Sequence, residues 1–255
     1  MRSAGNLKQV GLARALSKMG YCSRSQGAEL VRAGRVKLNG AIRLNPEAPV
    51  ILNRDRIEVD RRPVEPGTKV YLMLNKPRGI VTTAADEKGR DTVYSYLDNN
   101  LPWVAPVGRL DKASEGLLLF TNDSEWSARI SSPEMHLDKT YHVQVGTIAD
   151  EKLLDRLTEG VTLDSGENLR AKRAGLLRTG IKNTWLEVVL DEGKNRHIRR
   201  MLSQLDIDVL RLVRVAIGPV VLEKLAKGAC RPLAVEEKRS LDREFEIGRR
   251  HSIQD

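Results

Sequence analysis

Val107-Gly108-Arg109-Leu110-Asp111-Lys112-Ala113-Ser114-Glu115-Gly116-Leu117-Leu118-Leu119-Phe120-Thr121-Asn122-Asp123 runs from a glycine-flanked loop into four consecutive apolar residues and out through a polar turn. Such a run, bounded by Gly116 on one side and Thr121-Asn122-Asp123 on the other, reads as a short strand buried on both faces. Asp111 then stands at the edge of a core. Two readings of that residue stay open: a carboxylate delivered to a core's edge for chemistry, or an aspartate that caps a local turn continued by Ser114 and Glu115.

Working outward, Lys139-Thr140-Tyr141-His142-Val143-Gln144-Val145 alternates so that Tyr141, Val143 and Val145 share one face of a strand and His142 and Gln144 the other. A strand tyrosine there is either core filling or an aromatic platform. In and just after Glu192-Gly193-Lys194-Asn195-Arg196-His197-Ile198-Arg199-Arg200-Met201, the residues Ile198, Met201, Leu202 and Leu205 fall at i, i+3, i+4 and i+7, the core stripe of a helix. Arg196, Arg199, Arg200 and Ser203 occupy another face, either solvated or lying on phosphates.

The chain has 255 residues and a net charge of +9, and the charge is concentrated at one end. Residues 1–44 carry nine Lys or Arg (Arg2, Lys8, Arg14, Lys18, Arg24, Arg32, Arg35, Lys37 and Arg43) against Glu29 alone, a net +8 that leaves +1 for everything after. A basic end of this kind is the footprint of a surface that binds a phosphate backbone. Leu12, Leu16 and Met19 predict one helix. Ser23 caps a second over Arg24–Ala33, with Ala28, Leu30 and Val31 as its apolar side and Gly34 as its stop. Val36–Leu38 is a short strand closed by the turn signal Asn39-Gly40. Arg24, Arg32, Arg35 and Lys37 gather around this helix pair and strand.

Arg61-Arg62-Pro63-Val64-Glu65-Pro66-Gly67 combines two prolines with a glycine and is the expected linker, placing a small domain over residues 1–62, the linker over 63–67 and a larger domain over 68–240. In the larger domain, strand-like segments (Val70–Leu74, Tyr141–Val145, Trp185–Leu190, Leu210–Val215) alternate with helical ones (Glu125–Ile130, Asp150–Leu157, Asn195–Leu205). The absence of a regular βαβ repeat predicts an α+β fold on a mostly antiparallel mixed sheet with flanking helices. Residues 241–255 read as a polar, frayed tail.

Exclusions follow from composition. No stretch approaches about 18 apolar residues, and Met1-Arg2-Ser3-Ala4-Gly5-Asn6 lacks the apolar core of a secretory signal, so the expectation is a cytoplasmic protein without a membrane partner. Cys22 and Cys230 are far apart, with no CxxC spacing for a zinc ribbon or disulfide framework. His136, His142, His197 and His251 show no ligand spacing around acids, so no metal is implied.

Four segments in this order resemble the bacterial ribosomal RNA pseudouridine synthases that carry an N-terminal S4-like RNA-binding domain. Asn75-Lys76-Pro77-Arg78-Gly79-Ile80-Val81 resembles the family's first strand and turn, the Asp111 loop its catalytic motif, Lys139–Val145 its tyrosine strand and Glu192–Met201 its arginine motif. Ser23-Arg24 and Gly34-Arg35-Val36-Lys37-Leu38-Asn39-Gly40 resemble the S4-like domain. Ser114 stands for a more usual threonine, Ser124 for glycine and His197 for an amide. The resemblance implies isomerisation of a uridine in ribosomal RNA to pseudouridine, with Asp111, Tyr141 and Arg199 catalytic. Tyr141 would stack on a flipped base, and Arg199 would pair with Asp111 and keep it ionised. Asp111 would either attack covalently or take a ribose proton to give a glycal.

It further implies structured RNA held by Arg24, Arg32, Arg35, Lys37, Arg109, Arg196 and Arg200, no cofactor, and a monomer. Large-subunit RNA is the expected target, since more of this branch acts there, with small-subunit RNA as the alternative. A noncatalytic ribosome-assembly protein would need the basic end but be indifferent to Asp111, Tyr141 and Arg199. A metal-dependent nuclease would need clustered carboxylates that the best motif lacks.

Overall fold

The computed structural model describes residues 9–84 and 89–251, with side chains through Glu246. Arg2 and Lys8 of the basic end, the reading of Met1–Asn6, the His251 side chain and residues 252–255 of the expected tail lie outside the described residues. The chain divides into two compact units. The first combines the described residues up to Tyr71 with Asp98–Ala105 and Phe120–Ser124, and the second takes Leu72–Leu97, Pro106–Leu119 and the chain from Glu125 onward.

In the first unit, α1 (Leu12–Lys18) and α2 (Arg24–Arg32) pack as a pair. Ser23 caps α2 in a reciprocal box: its hydroxyl accepts from Gln26 N at 3.1 Å while Ser23 N donates to the Gln26 side chain at 3.0 Å. The helices can approach closely because Gly27 carries no side chain; a Cβ there would lie 3.0 Å from Ala13 O. β1 (Val36–Leu38) turns through Asn39 and Gly40, at φ 52° and 82°, into β2 (Ala41–Ile42). Leu38 and Ala41 face each other, the register of a two-residue hairpin. β3 (Ile57–Val59) and β4 (Arg62–Pro63) complete a sheet of order β2-β1-β3-β4 over a core of Leu12, Leu16, Val31, Val36, Val50 and Ile57.

The expected linker is part of this unit. Arg62 and Pro63 pair with β3, buried Val64 donates its N–H to Ile57 O at 2.9 Å, and Gly67 N donates to Met19 O at 3.1 Å. Proline is tolerated on an edge strand, and the turn before it is made by Asp60 and Arg61, non-glycine residues at φ 50° and 67° that carry no strong turn signal.

The second unit is an α+β layer built on one mixed sheet. Its strands are β5 (Tyr71–Lys76), β6 (Ala105–Val107), β7 (Glu115–Thr121), β8 (Lys139–Val145), β9 (Arg173–Thr179), β10 (Thr184–Leu190), β11 (Val209–Ile217), β12 (Val220–Val221) and β13 (Cys230–Pro232). They run in the order β9-β10-β8-β11-β7-β5-β13, with β12 on β11 and β6 on β7. Pairs β9–β10, β8–β10, β8–β11 and β5–β13 are antiparallel, and β7 meets β11 in parallel through Glu115↔Val213 and Gly116↔Arg214. Every residue of β7 is buried, as its unbroken apolar run predicts. Gly116 makes that central junction possible: at φ 104° a Cβ would stand 2.2 Å from Arg214 O.

α4 (Glu151–Glu159) and α5 (His197–Gln204) cover one face, packing Leu157, Ile198, Met201 and Leu202 against Val143, Leu186 and Val188. Each such side chain contributes about 1.5–3 kcal/mol by burial. α3 (Ser124–Ser131) precedes β8. The expected frayed tail is instead largely helical: α6 spans Val235–His251 and buries Leu241 and Phe245. Two apolar positions at i, i+4 inside a charged run suffice once Trp126 Nε1 donates to Asp242 at 3.0 Å. No helix among the described residues is long and apolar enough to cross a membrane.

Candidate active site

Asp111 lies in the loop that feeds β7, and the backbone of that loop is fixed carbonyl by carbonyl. Leu110 O accepts from the Thr82 hydroxyl at 2.8 Å, Asp111 O from Lys76 Nζ at 3.1 Å, and Lys112 O from Gly79 N at 2.7 Å. Ala113 O accepts from Arg199 Nη2 at 3.1 Å and Ser114 O from Lys76 Nζ at 2.9 Å. A backbone turn, Ser114 N to Asp111 O at 3.0 Å, does what the side chain would do in a capping role. The half-buried Asp111 carboxylate makes no hydrogen bond or ion pair among the described residues.

Lys76 is the residue that sequence reasoning missed. It ends an apolar strand, is fully buried, and spends its ammonium on the carbonyls of Pro77, Asp111 and Ser114. Burial pushes it down to about 8, against the upward pull of Asp111 and Glu115. Its only signal was a lone lysine before a proline at the end of a hydrophobic run. Glu115, 2% exposed, is held by both Arg211 nitrogens at 3.1 Å and by Lys227 at 2.6 Å. Burial alone would raise that carboxyl, but Arg211 and Lys227 outweigh it and keep it below the usual range.

Asp111, Tyr141, Arg109 and Arg196 line one cavity of about 450 Å³, together with Lys139, Arg214 and the start of α5. That volume lies within the roughly 300–1,000 Å³ of small-molecule sites. Tyr141 rests on the core through its Val143 face, as the alternation predicts, with its ring partly buried. The expected direct pairing of Arg199 with Asp111 is not made. Arg199 donates to Ala113 O and, at 3.4 Å, to Val209 O, so it fixes the loop rather than the carboxylate, because backbone acceptors lie nearer its guanidinium. His197 is 3% exposed, and burial pushes its pKa down.

The expected RNA contacts separate into two groups. Arg24 pairs with Glu47 at 3.2 Å and Arg35 with Asp60, whereas exposed Arg32 and half-buried Lys37 make no ion pair among the described residues. Arg196 adopts φ 48° just before α5, Arg200 pairs with Glu167, and both line a second hollow with Arg199 and Ser203. Among the described residues, no three His, Cys, Asp or Glu side chains gather as a metal site requires.

A loop held by its carbonyls, whose half-buried carboxylate shares a cavity with a tyrosine, is suited to catalysis, and a basic helix-pair module precedes it in the chain. Residues 70–204 match the RNA pseudouridylate synthase family and residues 10–53 the S4 domain. An RNA pseudouridine synthase of Aquifex aeolicus (strain VF5) is 37% identical over 238 residues, 89% of this chain and 91% of its own length. The ribosomal large subunit pseudouridine synthase B of Bacillus subtilis (strain 168) is 34% identical across 90% of this chain and 94% of its own. A crystal structure of a pseudouridylate synthase superposes with TM-score 0.64 at 32% identity, covering 91% of this chain and 99% of that one. The chain belongs to the RNA pseudouridine synthase family: it is an isomerase of uridine in RNA that carries an S4 RNA-binding domain.

Proposed function

We propose that the chain isomerises one uridine, or a very small cluster, in large-subunit ribosomal RNA, with Asp111 acting on the ribose of a flipped nucleotide. The observation that carries this reading is the division of labour in the loop. Five successive carbonyls, Leu110 to Ser114, are spent on holding it, while the Asp111 carboxylate is left uncommitted in the cavity beside Tyr141. The large-subunit target is supported by the Bacillus subtilis relative, which spans nearly the whole chain.

In this reading the target base leaves its stack and settles on Tyr141, which replaces the lost stacking. Asp111 then either bonds to C1′ or takes the C2′ proton as the C1′–N1 bond breaks, the uracil turns, C5 bonds to C1′ as Asp111 leaves or the proton returns, and the C5 proton moves to N1. Arg199 is a positioning residue that keeps Asp111 in place through Ala113 O. Arg32 and Lys37 of the N-terminal module, with Arg109, Arg196 and Arg200 around the cavity, hold structured RNA by its phosphates. The isomerisation moves no electrons or groups to a second molecule, so the enzyme works without cofactor, as a cytoplasmic monomer. Residues 68–240 carry the chemistry and part of the RNA grip, which the preceding residues extend.

Mapping pseudouridines in ribosomal RNA from cells with and without this protein tests the proposal. The expected result is one lost site, at a loop or junction of large-subunit RNA. A lost site in small-subunit RNA overturns the subunit alone, and no change in any ribosomal RNA overturns the whole reading.

A further inference from the structure

Two cations in the cavity are left unexplained by the reading above. Arg214 faces Tyr141 across the β8–β11 pair, and Lys139 lies two residues before Tyr141 on the same face of β8; all three line the cavity. Arg214 is 6% exposed, its Nε donates to Leu117 O at 2.8 Å, and its buried Nη2 has no partner among the described residues. Lys139 is half-buried and forms no ion pair among the described residues. Its neighbouring acids are engaged elsewhere, Asp138 with Lys172 at 2.7 Å and Asp191 near His136 at 3.6 Å. Burial, and then the charge of Arg214, depress the lysine further. An incompletely partnered guanidinium and an ammonium lining one cavity suit it to an anion.

We propose that Arg214, assisted by Lys139, forms the subsite that stabilises the uracil anion released during isomerisation. This rests on the reading that the target nucleotide occupies the Asp111 cavity. When the C1′–N1 bond breaks, its electron pair leaves with the base and spreads over N1, O2 and O4. C1′ is satisfied by a bond to an Asp111 oxygen, or by a C1′=C2′ double bond once Asp111 has taken the C2′ proton. A guanidinium beside the stacking platform meets the charge as it develops and holds the base while it turns. C5 then bonds to C1′, which consumes the base's negative charge as Asp111 is displaced or its proton returns to C2′, and the C5 proton moves to N1, which restores the conjugated uracil ring.

The same cations could instead grip a flanking phosphodiester, and the two anions are separable by experiment. Full-length wild type, Arg214→Gln and Lys139→Gln are compared on the mapped RNA fragment carrying either uridine or 5-fluorouridine at the target position. Single-turnover glycosidic cleavage, RNA affinity and thermal unfolding are read. Arg214→Gln should slow cleavage of the uridine RNA about 100-fold or more with affinity unchanged, and the loss should shrink with fluorouridine, whose base is the better leaving group. Lys139→Gln should follow the same pattern with a smaller loss. Equal losses on both RNAs, or a loss confined to affinity, would overturn the proposal in favour of a phosphate anchor. If Arg214→Gln does not fold, the pattern of Lys139→Gln decides in the same way. Wild type that modifies no RNA, or Asp111→Asn that retains turnover, overturns the underlying reading and this one with it.

Discussion

Asp111 is positioned by bonds that its own side chain does not make. Replacing it with asparagine should therefore abolish pseudouridine formation while shifting stability by no more than about 0.5 kcal/mol, the range of substitutions that break no contact. Turnover above a few per cent, read by product mapping, would remove it from the chemistry. Lys76 is the opposite case. As an ammonium it has three donors for three carbonyls, and deprotonation leaves two. The group is charged below about 8 and neutral above it. Wild-type turnover should then fall as pH rises through that value, and Lys76→Met should be slow with no such alkaline limb. A Lys76→Met profile that keeps the limb would assign it to another group.

Among the elements, the junction of β7 with β11 is the most exacting. Gly116→Ala places a Cβ 2.2 Å from Arg214 O, so the two strands cannot meet and the variant should be insoluble or melt far below wild type. A near-normal melting temperature would show that the junction yields. The burial of β7 was legible in four apolar residues, α1 in the spacing of Leu12 and Leu16, and α2 in its Ser23 cap and apolar side. β9 was not, because it is an edge strand whose Leu176, Leu177 and Arg178 are exposed without alternation. The helix of Arg199 begins at His197, two residues after the expected Asn195, since Arg196 has φ 48°. Within the site, Asp111 and Tyr141 were recognisable from the motifs around them. The carbonyl partners of Lys76 and Arg199 were not, because a backbone acceptor leaves no mark in a sequence.

At the scale of the molecule, the basic end is best tested without deletion. Residues Asp98–Ala105 belong to the first unit, and Trp103 N donates to Gly20 O at 3.2 Å, so removing residues 1–62 would strip partners from chain that remains. Neutralising Arg32 and Lys37, which make no ion pair among the described residues, is cleaner. Arg32→Gln with Lys37→Gln should weaken RNA binding and flatten its log–log salt dependence by about 0.7–0.9 per lost phosphate contact, while single-turnover rate at saturating RNA stays near wild type. An unchanged slope would place RNA elsewhere. The self-sufficient backbone of the Asp111 loop has an evolutionary consequence as well. On the role proposed for Asp111, one nucleotide change, turning the aspartate codon into asparagine, would silence the chemistry yet leave a stable protein that still grips its RNA. Such an allele would act as a competitor for its site in a cell that also makes the active enzyme, rather than as a simple null.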